Sequence, residues 1–122
     1  LKGRFIREIR SNDIVHISAP HAAYSAGTIA FTALDSDTEL FITGFGYSAQ
    51  TATDFYVTVN TSTILPAYVA ADGNVSRTTN LNAPFFKASA SSTISICIGS
   101  AGTVSAWLCG VRMPEFDKVE VA

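Results

Sequence analysis

Residues 94–108 carry two runs of strict apolar alternation. Ile94, Ile96 and Ile98 interleave with Ser95 and Cys97, and Val104, Ala106 and Leu108 interleave with Ser105 and Trp107. A period of two sends alternate side chains to opposite faces of an extended chain, so each run predicts a half-buried β-strand and neither suits a helix. Between them lies Gly99-Ser100-Ala101-Gly102-Thr103. If Gly99 pairs with Thr103 across a three-residue loop, Ile98 faces Val104, Ile96 faces Ala106 and Ile94 faces Leu108. Gly102 then occupies the left-handed position at which such loops commonly end. The expectation is a β-hairpin. In that register Cys97 and Cys109 share a face about 14 Å apart, at roughly 3.4 Å per residue, too far for a disulfide.

The same alternation recurs upstream. Phe55, Val57 and Val59 oppose Tyr56, Thr58 and Asn60. Thr28 to Ala33 and Glu39 to Tyr47 read as strands on either side of the acidic turn Asp35-Ser36-Asp37. Ile64 to Val69 is a strand at an edge or bend, because Pro66 cannot donate to a ladder. Pro20 to Gly27 reads as a loop, Ala71 to Asn74 as a turn, residues 75–84 as a polar connection and Phe85 to Ala88 as a short strand. Ile14 to Ile17 reads as an edge strand after an arm. With 122 residues there is room for one domain. The pattern predicts an all-β, antiparallel, jelly-roll-like sandwich of about eight strands, with an N-terminal arm and edge strand over residues 1–17 and the sandwich over 18–122.

Only 15% of the residues are charged, against about 25% in average soluble domains, so much of the surface is neutral. A net charge of -2 gives no general case for nucleic-acid binding. No apolar run approaches the ~18 residues of a membrane helix, and a soluble domain is expected. The chain starts at Leu1 instead of Met, which leaves open how much precedes it. The charge is unevenly placed. Lys2, Arg4, Arg7 and Arg10 crowd the first ten positions against Glu8, while Glu115, Asp117 and Glu120 lie near the end.

Strict alternation through Leu40–Tyr47 puts Leu40 and Ile42 on one face and Phe41, Phe45 and Tyr47 on the other. The last strand likewise turns Leu108 inward and Trp107, Cys109, Val111 and Met113 away. Large apolar groups on both faces imply that another subunit covers part of the outside. Gly44 and Gly46, on one face of their strand, leave room for another backbone or a bulky ring.

Catalytic or metal chemistry has little to stand on. Asp13, His16 and His21 form the only acid and imidazole group, and an offset of three sends Asp13 and His16 to opposite faces of a strand. Asp35, Asp37 and Glu39 lack the further ligands, glycine bend and distal Glu of a calcium loop. No nucleophile motif is present, and neither an enzyme nor a cofactor is expected. Asn60-Thr61-Ser62 and Asn74-Val75-Ser76 match the glycosylation acceptor pattern. Tyr24, Tyr47, Tyr56 and Tyr68 would make a sugar-binding platform if the fold gathered them.

Across residues 28–113 the chain resembles the small jelly-roll decoration, or cement, proteins of tailed-bacteriophage capsids. The likeness is carried by Gly27-Thr28-Ile29-Ala30-Phe31, Leu81-Asn82-Ala83-Pro84-Phe85-Phe86, Ser92 to Ile98, Gly102, and Val104 to Val111. It implies a homotrimer on the outer capsid surface of a virion that clamps the major capsid protein, often through an N-terminal arm. Arg4, Phe5, Arg7 and Arg10 would then contact the coat, and Phe45, Tyr47, Trp107 and Val111 would mediate self-association. The alternative is a trimeric receptor- or carbohydrate-binding head, such as a phage fibre tip or a tumour-necrosis-factor-like ligand.

Overall fold

The computed structural model describes residues 13–114. Nine strands occupy almost all of them: β1 (Ile14–Tyr24), β2 (Gly27–Ala33), β3 (Thr38–Ala49), β4 (Thr53–Val59), β5 (Ser62–Val69), β6 (Gly73–Thr78), β7 (Phe86–Ala88), β8 (Thr93–Ile98) and β9 (Gly102–Pro114). They form two antiparallel sheets. Sheet A has the order β1-β9-β3-β6, with short β7 also paired to β3, and sheet B has the order β2-β8-β4-β5.

The winding is that of a jelly roll. β1 pairs with β9, β2 with β8, β3 with β6 and β4 with β5, as if one long hairpin had been folded over itself. The two sheets close on a core whose inward positions alternate along the strands: Leu40, Ile42, Phe45 and Tyr47 from β3, Phe55, Val57 and Val59 from β4, Ile94, Ile96 and Ile98 from β8, and Val104, Ala106 and Leu108 from β9. Tyr47 of sheet A stacks on Phe55 of sheet B with ring centroids 4.7 Å apart and 6° between planes, which ties the layers together at mid-core.

The expected β8–β9 hairpin does not form. β8 lies between β2 and β4 in sheet B, β9 lies between β1 and β3 in sheet A, and the link Gly99–Ala101 arches from one sheet to the other. The inward sets are as expected, but the isoleucines meet Val104, Ala106 and Leu108 across the interior instead of side by side. Alternation specifies which side chains face inward and says nothing of which strand is the neighbour; a short glycine-bearing link serves an arch as well as a hairpin. Gly102 is not left-handed. It opens β9 where a Cβ would fall 2.8 Å from Thr51 Cβ, and among the described glycines the positive φ belongs to Gly27, at 112°, where the chain passes from β1 to β2. Cys97 and Cys109 are free, on the outer faces of different sheets.

Two other segments depart from expectation. β1 continues through Pro20 to Tyr24, because a bulge between Ala19 and Ala22 absorbs the proline without ending the pairing with β9. Part of the expected polar connection is β6, whose pairing with Gly44–Ala49 caps the edge of sheet A.

Candidate functional site

A second bulge decides which aromatics reach the surface. In the β3–β9 pairing the register shifts between Ile42 and Gly44, so the inward set runs Leu40, Ile42, Phe45, Tyr47. Phe45 and Tyr47 were expected on the face opposite Leu40 and Ile42; the bulge at Thr43 returns them to the core, where their exposures are 5% and 1%. Phe45 packs against Tyr47 and Phe85 with centroids at 5.0 and 5.4 Å. Neither can serve self-association.

Trp107 remains on the outer face of sheet A, half-buried, and what covers it is its own sheet. It sits opposite Gly46, and its indole lies over the bare backbone of Gly46 and Gly44. A Cβ at Gly46 would overlap the ring, and one at Gly44 would come within 3.1 Å of Trp107 Cζ3 and 2.8 Å of Cys109 Sγ. The glycine pair does admit a bulky ring, supplied from within the chain. His16 on β1 flanks it, with centroids 6.4 Å apart and planes inclined by 22°. Val111 lies farther along the same face, half-buried, paired with the exposed Ile14. Burial pushes the Cys109 thiol up, partly offset by a hydrogen bond with Thr43.

On the outer face of sheet B the fold gathers Tyr56 and Tyr68. Tyr68 on edge strand β5 pairs with Asp54 on β4, two residues from Tyr56 on the same face, a diagonal spacing of roughly 7–8 Å that aromatic side chains readily span. Together with Thr63, Pro66 and Ala67 they line an open hollow of about 500 Å³. Tyr68 is 68% exposed.

The hollow owes its shape to a third bulge. β5 carries an extra residue between Ile64 and Ala67, with Leu65 at φ 52° just before Pro66. Positive φ at a non-glycine residue is uncommon and needs support. The Tyr47 hydroxyl supplies it by donating to the Leu65 carbonyl oxygen at 2.8 Å. Burial, and secondarily the Cys97 thiol, holds Tyr47 above the usual tyrosine range. Tyr47 thus acts from the core on the surface that Tyr68 presents. Tyr24 is elsewhere, its hydroxyl donating to the Pro20 carbonyl oxygen at 2.6 Å.

The remaining candidates do not converge. Among the described residues no group of three His, Cys, Asp or Glu is placed to hold a metal. Glu39 is buried, with Lys87 Nζ 3.6 Å from its carboxylate, while Asp37 accepts a hydrogen bond from Thr38 Oγ1 at 3.2 Å. Asn60 clamps the start of β8: its Oδ1 accepts from Thr93 N at 3.0 Å and its Nδ2 donates to Ser92 Oγ at 3.3 Å. Arg4, Phe5, Arg7 and Arg10 lie outside the described residues.

No family model matches the chain, and no curated protein matches it. Among solved structures it is similar to a family 6 carbohydrate-binding module, at 13% identity and TM-score 0.44, covering 88% of each chain. It is also similar to the Drosophila NLP core, studied for pentamer formation and histone binding, at 12% identity and TM-score 0.45, covering 82% of this chain and 95% of the other. A third likeness is to the coat protein of Tobacco streak virus, at 15% identity and TM-score 0.40, covering 86% and 88%. At 12–15% identity and TM-scores below 0.5, these likenesses carry no argument about a ligand, a partner or a role.

Proposed function

We propose that this jelly-roll domain is a carbohydrate-recognising head that binds sugar on the outer face of sheet B. The observation that carries the reading is the hollow in which Tyr56, Tyr68 and Asp54 stand together. A pyranose ring has an apolar C–H face and a rim of hydroxyls. Tyrosine rings offer flat apolar area with little rotamer entropy to lose, and a carboxylate accepts two hydroxyl hydrogen bonds at once. The site stands on strands, and the Tyr47–Leu65 hydrogen bond fixes the β5 bulge, so little ordering is left to oppose binding. A glycan-array screen followed by calorimetry tests the reading. Binding of a glycan that weakens about tenfold, or about 1.4 kcal/mol, in Tyr68→Ala supports it; an array without signal removes it.

A second reading, a trimeric virion cement protein on the outer capsid surface, is favoured by one observation. Ile14, 51% exposed, pairs with Val111 on the outer face of sheet A, an apolar spot that a second copy or a coat subunit would cover. Trp107 is not needed for it. Full loading onto empty capsids by a variant with Arg4, Arg7 and Arg10 all changed to Ala would defeat the arm contact in this reading, and a stable monomer in solution would defeat the trimer.

A further inference from the structure

We infer that the outer face of sheet A holds a second, separate site, built on Trp107, for a single neutral pyranose ring. Beside the indole lies an open hollow of about 290 Å³ lined by Gly46, Ser48, Asn74, Ser76, Ser105 and Trp107, with Tyr47 and Val75 beneath. That volume is at the small end of ligand sites, about 300–1,000 Å³, and suits one ring instead of an extended chain.

The chemistry of the lining selects the ligand. The indole is held flat by the glycine floor and flanked by His16, so its outward surface is a fixed apolar plate that needs no ordering on binding. The indole adds one N–H donor, which normally finds a partner when covered. Around the plate stand the Ser48, Ser76 and Ser105 hydroxyls and the Asn74 amide, groups that both donate and accept. Sugar hydroxyls do the same. No side chain lining the hollow is charged, so a nucleotide, which also stacks on indole, would leave its phosphate without a cation. A uronate or sulfated sugar meets the same objection.

Three strands hold this constellation in place. Gly46 and Ser48 come from β3, Asn74 and Ser76 from β6, where they pair with Ser48 and Gly46 respectively, and Ser105 and Trp107 from β9, where they pair with the same two residues. Ser76, Gly46 and Trp107 therefore form one row across the sheet and Asn74, Ser48 and Ser105 the next. Asn74 is exposed on its strand, so its amide is open to a ligand.

Trp107 is the only tryptophan in the chain, so its fluorescence reports this site and not the tyrosine hollow. The experiment titrates glucose, galactose, mannose, N-acetylglucosamine and, as an anionic control, glucuronate into the wild type and into Tyr56→Ala/Tyr68→Ala. The expected result is a saturable change in tryptophan emission with at least one neutral sugar and none with glucuronate, preserved when both tyrosines are gone. In Asn74→Ala/Ser76→Val, which keeps the indole and two exposed strand positions, the same titration should weaken tenfold or more. Unchanged emission in the double-tyrosine variant overturns the inference, as does an undiminished response in Asn74→Ala/Ser76→Val. Calorimetric binding that the tyrosine changes abolish, with silent tryptophan emission, overturns this site alone and leaves the sheet B reading standing.

Discussion

Changing Gly46 to Ala tests the glycine floor directly. The added methyl would overlap the pyrrole side of the Trp107 indole and stand 2.9 Å from Cζ2, inside van der Waals contact. β3 is the central strand of sheet A, paired along its length to β9 and on its other edge to β6 and β7, so the backbone will not yield. The indole will lift off the sheet instead, losing its contact with Gly44 and Cys109. Overpacking of this kind costs typically 1–3 kcal/mol, and because the ring can swing toward solvent the lower half applies, about 1–2 kcal/mol. For a domain of this size that lowers Tm by roughly 4–8 °C. Gly99→Ala is the control, because its nearest neighbour would be Asp54 Cβ at an ordinary 3.5 Å. The assay is thermal unfolding with tryptophan emission. Gly46→Ala should be less stable than wild type and red-shifted before melting, while Gly99→Ala should keep the wild-type spectrum. A Gly46→Ala protein with wild-type Tm and emission would refute the placement of the indole and the plate argued from it.

Tyr47→Phe removes the donor to Leu65 O and should cost about 1 kcal/mol by urea unfolding, while weakening sugar binding at the tyrosine hollow more than at Trp107, as separate calorimetric and fluorescence titrations would show. The same residue sets an alkaline limit. Its folded pKa is raised, so its contribution is whole below the unfolded value of about 10 and is lost as pH climbs from there toward the folded value; urea midpoints should fall above that pH, and fall less in Tyr47→Phe. Both thiols should react with a thiol reagent as free groups, Cys109 before the more deeply buried Cys97. Lys87→Ala leaves the buried Glu39 without that ammonium and should cost under about 1 kcal/mol, since the lysine is 47% exposed and solvent screens the pair; denaturant titration measures it.

Fold class was legible because period-two alternation is a local property that backbone geometry enforces. Phe55, Val57 and Val59 point inward as their spacing requires, and Pro66 sits in a bulge on an edge strand for the reason that prolines do. What alternation does not hold is long-range pairing, so Ile94–Ile98 and Val104–Leu108 read as a hairpin when they are opposed layers. Bulges are the second blind spot. One extra residue at Thr43 reversed the faces of Phe45 and Tyr47 and removed two of the four residues assigned to self-association. The candidate site is half legible: the four tyrosines stand out by type, but only register shows that Tyr56 and Tyr68 line one hollow while Tyr24 and Tyr47 lie elsewhere. The signal for the Trp107 plate was present in Gly44 and Gly46, whose missing side chains foretold a ring above them without saying whose.

Sugar binding by Tyr56 and Tyr68 on the outer face of sheet B, as proposed, can be followed in amide NMR spectra of the domain recorded while a neutral glycan positive on the array is added. Saturable shifts centred on Asp54, Tyr56, Ala67 and Tyr68 are expected, lost at those positions in Tyr56→Ala/Tyr68→Ala. Saturating sugar that leaves these four amides unmoved would contradict it.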